Sequence, residues 1–483
     1  MHPRVPRRPR ASRSHRGSRT PFGAALHVLS PPCNIPLGSG SIAATRATEG
    51  APGEGTTMPG PLDGVRVLEL TQIVAGPFAG VNLADLGADV VKIEPPQGDG
   101  TRVIGAFAPM ESKGFHVLNR GKRSIVLDLK RPEAQELVHR MIPHFDVFLA
   151  NARAGVTDRL RLDYETLKQF REDLVYVEST GYGSSGPSAT RSGSDIVAQA
   201  YSGLMAGEGK IDEFGAPQSI SCSAVADYAT ALGAAMGVCA ALYRRSITGK
   251  GEFIQTSLLL SGLVLQGHHI SELPVADELQ KRPIMDEIAA VRERGGSYEE
   301  VINVRKSSNA AGQAFRLYYT GYRVKDGALI LGSLTPANRE QMRRAMGITD
   351  DPSADPDFNA LDPANDAIIE ELGERIRALM LTKTMDEWIE IFDAEGAPVS
   401  KVQIPEDLTN DPQVEAMGFM IDVEHEVSGP ERMVGPIVKM RYNPTGAERA
   451  APAFGVHVDE VLTDIGMTDE EIAGLRATGA IAV

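Results

Sequence analysis

The chain has 483 residues, 42% of them hydrophobic, and a net charge of −15. This acidic balance excludes nucleic acid and anionic membranes as partners of the chain as a whole, and no run reaches the ~18 consecutive apolar residues that cross a bilayer. Cys33, Cys222 and Cys239 are too few and too scattered for a disulfide framework or a Cys-based metal site, a usage that fits a reducing cytoplasm.

Residues 1–57 hold eight arginines and no acidic residue before Glu49. They are expected to form a disordered basic extension without a function of its own, ahead of a folded pattern that begins at Met58. From there strands and helices alternate. Val65–Leu70 reads as a buried strand, Phe78–Leu86 as a helix whose small residues lie flat on a sheet, and Asp89–Glu94 as the next strand. Strands follow at Ser124–Asp128, Asp146–Leu149 and Leu174–Glu178, with a Pro-opened helix over Pro132–Phe145. This is the pattern of a parallel sheet covered by helices.

Such β-α-β units bring helix N-termini, with unpaired N–H groups, to the carboxyl edge of a sheet, where phosphate-bearing ligands bind. The turn Ala75-Gly76-Pro77 sits at one such place. Neither GxGxxG nor GxxxxGK[ST] is present, so no NAD enzyme or NTPase follows. Helices are expected over Ile196–Met205 and Asp227–Arg245. Residues 271–312 are charged and helical, Tyr318–Gly332 forms a hairpin about Lys325-Asp326-Gly327, and two amphipathic helices span Ala367–Met380 and Met385–Ala394. The domains implied are a large α/β domain over 58–270, a linker and small α+β domain over 271–400, and a Pro-rich return to the large domain over 401–483.

Asp227 follows small residues and opens a long helix with Gly233, Ala234 and Gly237 in the next turns. It reads either as an N-cap or as a carboxylate nucleophile, kept ionised by the helix N-terminus and open to a thioester. Lys92, Arg102, Lys122, Arg123, Lys130, Arg153 and Arg159 gather in the first β-α units. They are either solvated charge or the partners of a ligand with several phosphates. His268 and His269 lack metal-ligand spacing, and no metal site is expected.

Taken together, PLDGVRVLEL, AGPFAG, LADLGADVVKIEPPQGD, NRGKRSIVLDLK, GYGSSGP, the Ala226-Asp227 helix start and TGKGEFIQTSL resemble the class III CoA-transferase (CaiB/BaiF) family from about Pro61 to the C-terminus. The resemblance implies a Rossmann-like large domain and an interlocked homodimer. It also implies coenzyme A as substrate rather than as a resident cofactor, an acyl-CoA donor and a carboxylic acid acceptor. The family's catalytic aspartate falls on Asp227. Its CoA-contacting positions fall on Leu127, Asn151 and Arg159, with Ala75, Lys122 and Arg123 beside the same groove. Val74 stands where formyl-CoA transferase has a glutamine, so a side-chain amide for a formyl or oxalyl group is missing. A 2-methylacyl-CoA racemase of the same superfamily needs a histidine where Ser194 precedes Asp195, and serine is no base near neutral pH. A non-catalytic CoA-binding protein is the remaining alternative.

Overall fold

Glu69, Lys92 and Lys122 belong to apolar strands, yet all three side chains are completely buried on one face of the central sheet. The computed structural model describes residues 58–220, 223–307, 316–355, 357–359, 365–447 and 449–482. The basic extension, Cys33 and Cys222 lie outside them. The sheet contains β1 (Arg66–Leu70), β2 (Asp89–Glu94), β3 (Lys122–Val126), β4 (Val147–Ala150), β5 (Val175–Thr180) and β6 (Glu252–Ser257). Their order is β3-β2-β1-β4-β5-β6, and every pairing is parallel. This is the doubly wound order of dinucleotide-binding folds, with the topological switch between β1 and β4. A crevice is expected outside the carboxyl ends of those two strands.

Side chains alternate across the sheet and give it two cores. On one face Val67, Val90, Val147 and Val175 pack against Ala79 and Leu83 of α1 (Ala75–Asp85) and Ala231, Ala234 and Val238 of α5 (Val225–Thr248). On the other, Leu68, Val91, Ile125 and Phe148 meet Leu137 and Val138 of α3 (Pro132–Met141), together with Val461 and Leu462. α2 (Lys113–Asn119) precedes β3, and α4 (Asp195–Tyr201) precedes α5. By length and composition alone α5 could cross a membrane, although it holds no unbroken run of 18 apolar residues. Its alanines explain both properties: they raise its hydropathy and let it lie close on the sheet.

After β6 come α6 (Leu258–Val264), α7 (Pro274–Glu293) and α8 (Tyr298–Ser307). The hairpin of β7 (Gly321–Arg323) and β8 (Ala328–Leu331) closes where expected, with the Val324 N–H donating to Gly327 O at 2.9 Å. β9 (Val399–Lys401) completes this second sheet. A separate core of Tyr318, Leu329, Met342, Ile376, Trp388 and Phe392 joins it to α9 (Pro336–Met346), α10 (Asp366–Met380) and α11 (Met385–Ala394).

The C-terminal part is more regular than its proline content implies. It contains the hairpin of β10 (Met420–His425) and β11 (Gly429–Val434), then α12 (Val458–Asp464) and α13 (Asp469–Thr478). The chain end lies against β3: Asp128 N–H donates to Ala480 O at 3.0 Å and Ala482 N–H to Val126 O at 3.2 Å.

Lys92 Nζ lies 3.2 Å from Glu69 Oε1 and 3.0 Å from Asp99 Oδ2, and Lys122 Nζ lies 2.9 Å from Glu69 Oε2. Burial pulls Lys92 down, but Glu69, Asp99 and Glu94 together hold it above the usual lysine range. Burial, opposed by Glu69 and reinforced by Lys92, brings Lys122 down to about 8. One glutamate therefore serves two buried cations. Glu69→Gln removes that shared charge and is expected to lower unfolding stability by about 3–5 kcal/mol in denaturant titration; a change within experimental error would contradict this arrangement.

Candidate active site

The buried charges lie directly beneath the turn that joins β1 to α1. Lys92 Nζ donates to Thr71 O at 2.8 Å, and the Ile73 N–H donates to Asp99 Oδ1 at 3.2 Å. From the other side of the switch point, Asn151 accepts from the Gln72 N–H at 2.9 Å and donates to Gln72 O at 2.7 Å. Between these anchors Ile73 has φ +71°, the left-handed region that a β-branched residue rarely occupies. Strain held in this way by surrounding bonds is characteristic of functional sites.

The turn forms one wall of a cavity of about 820 Å³ along the carboxyl edge of the sheet. Leu127 and Lys130 after β3, Asn151 and Arg153 after β4, and Gly181 after β5 contribute to it, with Ala75 at the start of α1. Asp195 and Asp227 line the same space.

Asp227 is not the N-cap of α5. That position is Ala224, which offers no side chain, and Asp227 is the third helical residue. The cap comes from a different helix: Asp195 Oδ1 accepts from the Ala226 N–H at 2.7 Å and the Asp227 N–H at 3.2 Å. Asp195 is itself steadied by Gln199, which donates to its other carboxylate oxygen. Burial, with the Asp195 carboxylate as a second cause, pushes Asp227 up to about 7. The expectation that the helix end keeps Asp227 fully ionised is thereby corrected, because desolvation and a like charge dominate.

Ala75, Leu127, Asn151 and Asp227 are brought to one cavity, whereas Lys122, Arg123 and Arg159 are not. Lys122 is enclosed, its ammonium bonded to Glu69, Pro77 O, Leu118 O and Asn119. Arg123, one residue along the strand, points to the opposite face and binds Asp89, Glu460 and Asp464, tying α12 to the sheet. Arg159 is exposed and outside the cavity, its Nε donating to Gly155 O at 3.3 Å. Lys130 and Arg153, both in the basic cluster read from the sequence, line the cavity instead. Ile73 and Arg191 also line it, and no motif had marked either for a role.

Outside this cavity, Glu111, His116 and His425 form a buried group with ligand-type atoms within 4.8 Å of one another. Its contacts are those of a hydrogen-bonded clasp. His116 faces Glu111 at 2.7 Å and Glu431 at 2.5 Å, and His425 Nδ1 accepts the Val427 and Ser428 amides. His425 Nε2, 3.8 Å from Glu111 Oε2, is buried without a hydrogen-bond partner among the described residues.

The doubly wound sheet thus carries a switch-point cavity that brings Lys130, Arg153 and Arg191 to the same space as a buried aspartate, a place where such folds bind ligands. The family model for CoA-transferase family III matches residues 62–458, and the chain belongs to that family. It is 30% identical over 429 residues to human succinyl-CoA:glutarate CoA-transferase, covering 87% of this chain and 90% of that one. Succinyl-CoA--D-citramalate CoA-transferase of Chloroflexus aurantiacus is 31% identical over 430 residues, covering 88% and 98%. Among solved structures, a CaiB/BaiF family protein from Brucella suis aligns with TM-score 0.63 and 27% identity, over 84% of this chain and 100% of that one. The protein is a class III CoA-transferase.

Since Asp227 has a higher pKa folded than unfolded, its ionisation opposes folding. That cost is absent below the usual carboxylate range, grows as pH rises, and is complete above about 7. Asp227→Asn is therefore expected to raise Tm over wild type at pH 8 and to change it little at pH 4, as measured by thermal unfolding. Equal shifts at both pH values would contradict the burial of this charge.

Proposed function

We propose that the protein moves coenzyme A from an acyl-CoA to a carboxylic acid through covalent intermediates on Asp227. The observation that carries this reading is a buried aspartate with its pKa near 7, flanked by Ser223, Ala224 and Ala226, on the wall of a cavity large enough for an extended ligand. A carboxylate oxygen of Asp227 attacks the thioester carbonyl, the C–S bond breaks, and a mixed anhydride and CoA thiolate form. The thiolate then attacks the aspartyl carbonyl, releasing the first acid and leaving an aspartyl-CoA thioester. The acceptor carboxylate attacks that thioester, its C–S bond breaks, and a second anhydride forms with release of the CoA thiolate. The thiolate returns to the acceptor's carbonyl, giving the new acyl-CoA and restoring Asp227. Each thioester is exchanged for another, so no ATP is needed. Exclusion of water protects both anhydrides.

Ala75, Leu127 and Asn151 are assigned to the CoA groove, with Lys130 and Arg153 as the cations for its phosphates in place of Lys122, Arg123 and Arg159. Two relatives carry succinyl-CoA in their names, and a succinyl or similar dicarboxylic donor is the choice that fits this chain. The racemase alternative is disfavoured by Ser194 and by the commitment of Asp195 to the amides of α5.

A homodimer is proposed on separate grounds. Met236 and Tyr243 on α5 and Val264 on the adjoining α6 are each 71% exposed, an apolar load that a partner copy would cover. Light scattering of the purified protein is expected to give twice the chain mass; a monomer at micromolar concentration would contradict it. The low cysteine content supports the reading of a reducing, cytoplasmic compartment.

Two measurements test the mechanism. Asp227→Ala should lower acyl-CoA:carboxylate exchange by on the order of 10³-fold or more while CoA still binds; near-normal turnover would refute it. In wild type, kcat/KM should rise with pH to half its maximum near 7, as Asp227 loses its proton. A flat profile from pH 5.5 to 8.5 would speak against an aspartate nucleophile.

A further inference from the structure

Three cations line the cavity without an ion-pair partner among the described residues: Lys130, Arg153 and Arg191. The first two follow β3 and β4 at one end. Arg191 stands apart, four residues before Asp195, whose carboxylate bonds the Asp227 amide. Four residues span at most about 14 Å of chain, which keeps Arg191 within reach of the part of the cavity that Asp195 and Asp227 line.

Its surroundings orient it without neutralising it. The guanidinium lies 5.8 Å from the ring centroids of both Tyr182 and Tyr201, whose rings meet edge to face at 5.1 Å. Tyr201 Oη shares a hydrogen bond with Ser188 Oγ at 3.1 Å, and Tyr182 Oη donates to Ser192 O at 3.4 Å, so both rings also hold the segment carrying the arginine. Two residues on, Gly193 packs directly on Gly181: a Cβ at position 193 would fall 2.8 Å from the Gly181 Cα. Arg191 is exposed, and a planar cation beside aromatic faces, with no carboxylate partner among the described residues, is suited to bidentate capture of a carboxylate.

Building on the CoA-transfer reading, we propose that Arg191 is the specificity-determining residue that receives the distal carboxylate of a dicarboxylic acyl group while its other end reacts at Asp227. The enzyme then distinguishes succinyl- and glutaryl-CoA from neutral acyl-CoAs of similar length by one charge-assisted contact.

The test compares full-length wild type, Arg191→Gln and Arg191→Lys with succinyl-CoA and butyryl-CoA, measuring both kcat/KM and calorimetric Kd. Wild type should favour succinyl-CoA. Arg191→Gln should lose about 10- to 100-fold in kcat/KM and Kd for succinyl-CoA with butyryl-CoA nearly unchanged, and Arg191→Lys should recover part of the difference. Equal losses for both thioesters, an unchanged preference, or a wild type indifferent to the two would overturn the assignment. The two readings fail separately. If the succinyl preference in Kd collapses in Arg191→Gln but no acyl-CoA is ever exchanged, the transfer reading falls and the role of Arg191 stands. If butyryl-CoA is transferred as well as succinyl-CoA, the reverse holds.

Discussion

The site depends on a set of charges that no solvent reaches. Glu69, Lys92, Asp99 and Lys122 are buried together, and two of them bond the backbone of the turn above, Lys92 at Thr71 O and Asp99 at the Ile73 N–H. An apolar layer of the same volume could stabilise the fold equally well. It could not hold Ile73 at a positive φ, because that takes directional bonds on both sides of the residue. The ion cluster therefore sets the shape of the cavity wall, and Asn151 completes it from across the switch point.

Asp195 and Asp227 divide between them two tasks that one carboxylate cannot perform. The first residues of α5 expose N–H groups that would normally be capped by the residue before the helix, but Ala224 has nothing to offer. Asp195 supplies the cap from α4 and leaves the Asp227 side chain lining the cavity, without a hydrogen-bond partner among the described residues. The proximity of the two also raises the proton affinity of Asp227. A carboxylate of higher pKa is the better nucleophile once ionised, and it remains ionised for about half the population near neutral pH. Under the proposed transfer mechanism, the stability lost to burying it is the familiar exchange of stability for activity.

Much of this was legible in the chain. β1, β2 and β4 were placed within one residue, and α5 and the β7–β8 hairpin within three, because their apolar periods and Gly or Pro boundaries are local signals. The family resemblance singled out Asp227, Asn151, Leu127 and Ala75, all of which face one cavity. The errors share a cause. A strand period shows that Lys122 and Arg123 point to opposite faces but not that each face is covered, so both were read as available to a ligand. Glu69, Asp89, Glu460 and Asp464 reach them from as far as 341 residues away, and such partners leave no local trace. β6 was absent from the strands read in order, since Glu252-Phe253-Ile254-Gln255 is short and half polar, as suits an edge. The cap on α5 was misassigned because the capping carboxylate comes from 31 residues upstream.

What separates a transferase that works through a covalent aspartate from a protein that merely holds CoA is the transient modification of one side chain. Incubating the full-length enzyme with succinyl-CoA, quenching with hydroxylamine and mapping peptides by mass spectrometry reads that event directly. The account predicts a hydroxamate at Asp227 and none at Asp195. An unmodified Asp227 under conditions where CoA is being exchanged, or the adduct on another residue, would contradict it.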